Sequence, residues 1–217
     1  MPNFISENQI ERALVQKLQH LHGFDSLDCH TEDCEDLNDG SGRASKRDVI
    51  LVDRVREAAV RLNTNIPAKA IEEALEKLLD RRQAMSLVAA NQEVYNLLRD
   101  GIPVEFDDAK GQKHQERVRL LDFNNPDENR YLAVTQLWIK GERGFRRPDV
   151  LLYVNGLPLV FVELKNSNVK LKTAYGRQPD ELQAGNPPTF SDQRLLRAVE
   201  RHRDEGGQPH GGMGALL

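Results

Sequence analysis

Apolar residues recur at helical spacing near the start of the chain. Over residues 6–22, Ile10, Leu14, Leu18 and Leu21 fall on one face. Ser6 can cap this helix, with Gln9 three residues later completing a capping box, and Gly23 supplies a stop. The same spacing returns over 48–62 through Ile50, Val52, Val55, Ala59 and Leu62. Asn65-Ile66-Pro67 restarts a helix whose inward face carries Ile71, Ala74, Leu75, Leu78 and Leu79, and a further helix spans about 86 to 99, ending at Gly101. Between the first two helices, residues 25–47 are polar, acidic and rich in Gly and Ser, and read as a long loop or lid.

After Gly101 the period shortens to two. Val104 and Phe106, then Val118, Leu120 and Asp122, alternate as strands do, with Gly111 in the turn between them. Tyr131 to Ile139 alternates again. Val150–Val154 and Leu159–Leu164 are apolar runs on either side of Asn155-Gly156, a type I′ hairpin signal. Helices first, then a mixed, mostly antiparallel sheet, predict an α+β fold.

Composition narrows the function classes. At 39% hydrophobic, 217 residues can bury a real core. No apolar stretch approaches the roughly 18 residues of a membrane span. The opening MPNFISENQI has no basic stretch followed by an apolar one, so no signal peptide is expected. Two cysteines cannot build a disulfide framework, which makes a reducing, cytoplasmic setting the expectation. Cys29 and Cys34, near His20, His22 and His30, invite a test for zinc. Their C-x4-C spacing has no second ligand pair, and the acidic surroundings are unlike a zinc knuckle.

Charge is unevenly spread. From Lys140 to Arg177, eight basic side chains face three acidic ones, a net +5 in a chain whose total is −4. A basic island on an acidic protein suits contact with a polyanion.

Within that island, Asp149 starts the first hairpin strand. Glu163 and Lys165, two apart, are expected to share a face of the second strand, with Leu164 turned to the core. Two carboxylates and an ammonium thus converge at one sheet edge. Neighbouring carboxylates repel unless a cation lies between them. Hard oxygens suit Mg²⁺, and the backbone carbonyl of Leu164 could add a ligand. Such a metal polarises a phosphodiester and lowers the pKa of bound water. Lys165 can orient that water or offset charge developing on phosphate. The plainer alternative is that these are strand-end charges facing solvent.

At these residues the chain resembles a known family. Pro148-Asp149 and Glu163-Leu164-Lys165 look like the PD-(D/E)xK nuclease motif. The whole stretch RRPDVLLYVNGLPLVFVELKN is similar to the N-terminal nuclease domain of the restriction (R) subunit of type I restriction enzymes. Upstream, SENQIERALVQKLQHLHGF, LLRDGIPVEF and DFNNPDENRYLAVTQLWI resemble the same family, so the likeness covers about residues 4–175. It implies a restriction-endonuclease-like domain over 1–175. Asp149, Glu163 and Lys165 would then be the Mg²⁺-dependent triad that cuts double-stranded DNA, with Glu11 joining them as a first-helix acid. For Glu11, the alternative is a solvated first-turn carboxylate favoured by the helix dipole. The resemblance also implies that Gln136, Arg146, Arg147, Lys170 and Lys172 line the DNA path. Methyltransferase and specificity subunits would be partners. ATP would belong to a motor found only in the full-length family, since no G-x-x-x-x-G-K-[ST] loop occurs here.

After Tyr175 the pattern departs, and residues 176–217 read as an atypical, non-native or disordered tail rich in Gly and Pro. Synonymous codons for 176–207, read one nucleotide later, can encode a basic aromatic helix, an Ile-Pro-x-x-Phe turn and an apolar strand, as the family has. The expectation is a reading-frame slip near Tyr175. Two alternatives stay open beside the nuclease: a truncated, inactive remnant or module that docks on DNA or partner subunits without cutting, and an unrelated resolvase or repair nuclease of the same fold.

Overall fold

The computed structural model describes residues 6–80, 82, 84–108, 110–141 and 144–164. Lys165, Lys170, Lys172 and the 176–217 tail lie outside the described residues.

Helix α1 (Glu7–His22) starts as expected. The Ser6 side chain accepts from the Gln9 N–H, the Gln9 side chain accepts from the Ser6 N–H, and Gly23 closes the helix at φ 65°. Strand β1 (Asp25–Asp28) follows, in a stretch expected to be loop. Its only apolar side chain is Leu27, so the alternation that marks a strand is missing. Pairing with the later strand β4 (Tyr131–Thr135) makes it a strand, in parallel register from Asp25↔Leu132 to Asp28↔Thr135.

The rest of the acidic stretch is irregular backbone but not a solvated flap. Asp39 is buried and pairs with Arg43 at 2.7 Å and Lys46 at 2.8 Å. Arg43 also donates to the carbonyls of Asp48 and Trp138. Cys29 is fully buried here, and burial, with the nearby Asp39 carboxylate, pushes its thiol up to about 12.

Helix α2 (Val52–Leu62) begins later than its spacing suggests, because Leu51 is engaged elsewhere: its N–H donates to the Gly156 carbonyl. Helix α3 (Ala68–Leu79) buries Ile71, Ala74, Leu75 and Leu78. Leu79, expected inward, is 36% exposed. It lies about 100° round the axis from Leu78, which takes the buried position. Helix α4 (Leu87–Asp100) is capped by Ser86 and ends at Gly101.

Strands β2 (Ile102–Asp107) and β3 (Lys113–Val118) form an antiparallel hairpin. Leu120 is buried just beyond it. The expected run from 131 to 139 divides at Gln136, whose φ of 57° ends β4. Beyond it, β5 (Ile139–Gly141) and β6 (Gly144–Arg146) form a second small ribbon. Strands β7 (Val150–Val154) and β8 (Leu157–Val162) make the expected hairpin, with Asn155 and Gly156 at φ 51° and 83°. The central sheet has the order β1-β4-β7-β8, parallel between β1 and β4 and antiparallel elsewhere. This is the expected mixed α+β arrangement.

Two apolar clusters hold these layers together. One joins α2, α3 and Val94 of α4 to β2, β3 and Leu157. The other packs Cys29, Val49 and Leu51 on Leu132, Val134, Leu151 and Tyr153 of the sheet. The Tyr153 hydroxyl, buried in the second cluster, donates to the Val49 carbonyl at 3.0 Å. The hairpin therefore spans both cores, which fixes its free end, where the charged side chains are.

Candidate active site

The sheet register collects acidic side chains at one end. Asp28 lies across from Thr135, Thr135 across from Val150, and Val150 across from Val162. One residue further, Asp149 comes opposite Glu163. Strand β8 stops at Val162, so Glu163 lies just past the strand rather than on it as expected, and Leu164 is half-buried rather than a core residue. The Asp149 carboxylate accepts the Leu164 N–H at 2.5 Å, which ties the two hairpin strands together at their open end.

Helix α1 brings Glu11 to the same place. Gln136 Nε2 donates to Glu11 Oε2 at 2.8 Å. Burial raises the Glu11 carboxyl above the usual carboxylate range; the Gln136 hydrogen bond and Arg147 act the other way, while the Asp149 and Asp28 charges add to the rise. Glu11 is thus not a free first-turn carboxylate but one of several acids at a shared site. Glu11, Asp28, His30, Thr135, Gln136 and Arg147 line a cleft of about 470 Å³.

Sequence reasoning missed Asp28. Its Oδ1 accepts the His30 N–H at 3.0 Å and the Thr135 hydroxyl at 3.4 Å, which hold the carboxylate in the lining of the cleft. The one signal available, an aspartate closing Asp25-Ser26-Leu27-Asp28, has no strand pattern around it.

Of the expected cationic residues, Arg147 lines the cleft and its guanidinium stacks 4.8 Å from the Trp138 ring centroid. Trp138 meets Phe145 edge-on, and Lys140 lies 5.1 Å from the Phe145 ring. Arg146 is exposed on β6, opposite Ile139. A cation–aromatic ribbon therefore flanks the acidic cleft.

The donor chemistry fits a hard cation: the converging side chains offer carboxylate oxygen, not thiolate or an imidazole pair. Among the described residues, no three His, Cys, Asp or Glu side chains close into a group that could hold a metal ion by themselves.

The model of the type I restriction enzyme R protein N terminus matches residues 4–191. The chain belongs to that family. The family match runs beyond Tyr175, through part of the segment outside the described residues. The chain is 39% identical over 166 residues to the type I restriction enzyme HindI endonuclease subunit of Haemophilus influenzae, covering 75% of this chain and 15% of that protein. It is 31% identical over 173 residues to the putative type I restriction enzyme MjaIXP endonuclease subunit of Methanocaldococcus jannaschii, covering 76% of this chain and 16% of that one. The chain thus spans about one sixth of the length of these endonuclease subunits. No helix among the described residues is long and apolar enough to cross a membrane.

Proposed function

We propose that this R protein N-terminal domain is a Mg²⁺-dependent DNA endonuclease module that hydrolyses phosphodiester bonds of unmodified double-stranded DNA. The observation that carries the reading is the convergence of Asp149, Glu11 and Asp28 on one sheet end, beside a strip of exposed and stacked cations. Such an acidic cleft disfavours a phosphate backbone unless a cation intervenes, and the flanking Arg146 and Arg147 are where that backbone would be neutralised.

Asp149, Glu163 and the Leu164 carbonyl would hold Mg²⁺, with Glu11 reaching in from α1. The bound ion supplies Lewis-acid polarisation of the scissile phosphate and a more acidic water. The protein's own residues do the rest. The Leu164 N–H fixes one Asp149 oxygen. Gln136 does the same for Glu11. Lys165 follows Leu164 in sequence, where its ammonium would orient the attacking water and offset charge on the phosphate. Arg147, held by Trp138, would position the DNA strand, with Gln136, Lys170 and Lys172 further along the path. In the complete assembly, methyltransferase and specificity subunits would choose the DNA, and a motor elsewhere in the R subunit would use ATP.

The test is nicking of supercoiled plasmid by the purified full chain with Mg²⁺ or Mn²⁺. Nicking is expected to need the metal and to fall at least a hundredfold in Asp149→Ala and in Lys165→Ala. A wild type that behaves like both variants would overturn catalysis and leave the docking reading.

A further inference from the structure

We propose that Gln136 is a positioning residue: a strained backbone kink at the end of β4 aims its amide at Glu11 and fixes that carboxylate in the cleft. The inference rests on the nuclease reading and adds a specific role to it.

Gln136 has φ 57°. Among the described residues the other non-glycine with positive φ is Asn155, at a type I′ turn position that favours asparagine. Glutamine gains nothing comparable from the left-handed region, because its longer side chain does not mimic the local backbone turn as that of asparagine does. Such a conformation persists where the surroundings impose it, and it concentrates at functional sites.

The surroundings do impose it. Before the kink, the Thr135 carbonyl accepts the Cys29 N–H at 3.0 Å, and Thr135 is paired with both Asp28 and Val150. After it, Leu137 is fully buried in the second apolar cluster. The backbone is held on both sides, and residue 136 absorbs the change of direction. The result is a side chain that leaves the sheet and donates to Glu11 Oε2 at 2.8 Å, joining residues 125 apart in sequence.

The effect on Glu11 is specific. An amide donor on one carboxylate oxygen restricts rotation of the group and leaves Oε1 with its own acceptor capacity. Outer partners of this kind commonly change metal affinity or activity by 10–100-fold when removed, or roughly one to two orders of magnitude. Gln136 thereby acts through Glu11, a role separate from its place on the DNA path beside Arg147.

Strain and function separate in Gln136→Gly. Glycine accepts the left-handed backbone without a steric penalty and deletes the amide. The full chain is compared as wild type, Gln136→Gly, Glu11→Ala and the double variant, by thermal unfolding, calorimetric Mn²⁺ titration and plasmid nicking. Gln136→Gly is expected to melt at or above the wild-type temperature while binding Mn²⁺ about tenfold more weakly. In the Glu11→Ala background the same change is expected to cost nothing more. Unchanged Mn²⁺ affinity in Gln136→Gly, or an equal loss with and without Glu11, would overturn the positioning role while leaving the nuclease reading intact. A wild type that neither binds Mn²⁺ nor nicks DNA would instead remove the nuclease reading, and this inference with it.

Discussion

Asp39→Asn removes one negative charge from a place where two positive ones pair with no other carboxylate among the described residues. The side chains of Asp39 and Arg43 are 0% exposed and that of Lys46 is 5% exposed. Asp39 Oδ2 takes both cations, and Oδ1 takes the Ser41 N–H and hydroxyl. Asparagine keeps the shape and one acceptor. It leaves Arg43 and Lys46 buried without the carboxylate that each pairs with. At about 4 Å and an effective dielectric near 20, one ion pair is worth about 4 kcal/mol. Breaking a buried pair by removing one partner costs about 3–5 kcal/mol in practice. A domain of this size loses about 2–4 °C of Tm per kcal/mol, so the expected fall is about 6–20 °C, with a matching drop in urea midpoint at neutral pH. The acid side offers a second readout. Burial alone would raise the Asp39 pKa, but hydrogen bonds from Lys46, Ser41 and Arg43 outweigh it and hold the carboxyl well below the usual range. A group whose folded pKa is depressed stabilises the fold above its unfolded pKa, about 3.9, and loses that contribution as pH falls below it. The variant is therefore expected to lose less stability than wild type between about pH 4 and pH 2. A destabilisation under about 1 kcal/mol at neutral pH would refute the reasoning, because it would mean that the cations reach water and the segment opens as a lid after all.

Two further substitutions test how the site is supported. Gly156→Ala would place a Cβ 2.6 Å from the Leu51 carbonyl oxygen and 2.9 Å from the Val55 nitrogen, at φ 83°. The hairpin would have to lift off the start of α2, and a loss of about 2–4 kcal/mol is expected in urea unfolding. Ser6→Ala deletes half of the α1 capping box and is expected to cost about 1 kcal/mol, with faster amide exchange in the first turn of the helix that carries Glu11.

The hairpin and its charges were legible in sequence because local chemistry dictates them. Asn155-Gly156 requires a tight turn with positive φ at both positions, and the apolar runs beside it must pair. Asp149 and the Glu163 region then meet by register alone. The capping of α1 and α4 was legible for the same reason: Ser6, Gln9 and Ser86 act within one turn of their own backbone. What escaped was long-range. Strand β1 has a single inward apolar residue and exists because β4 lies beside it, so Asp28 had no visible reason to be in the site. The loop from Cys29 to Asp48 reads as solvated because its charges are plentiful; that Asp39, Arg43 and Lys46 neutralise one another out of water is a tertiary fact. The break at Gln136 was equally invisible, since Leu137 and Ile139 are buried like the β4 residues before them while the backbone turns.

The reach of the Gln136–Glu11 hydrogen bond has a consequence for how the protein comes into being. Synthesis at about 5–20 residues per second puts roughly 6–25 s between the emergence of these two residues, which are 125 apart. Asp149 and Leu164 leave the ribosome later still. Every partial chain up to that point carries the first-helix acid without the groups that complete its surroundings. On the nuclease reading, a partial copy that stops short of Lys165 lacks part of the cutting site, whatever else of it has folded.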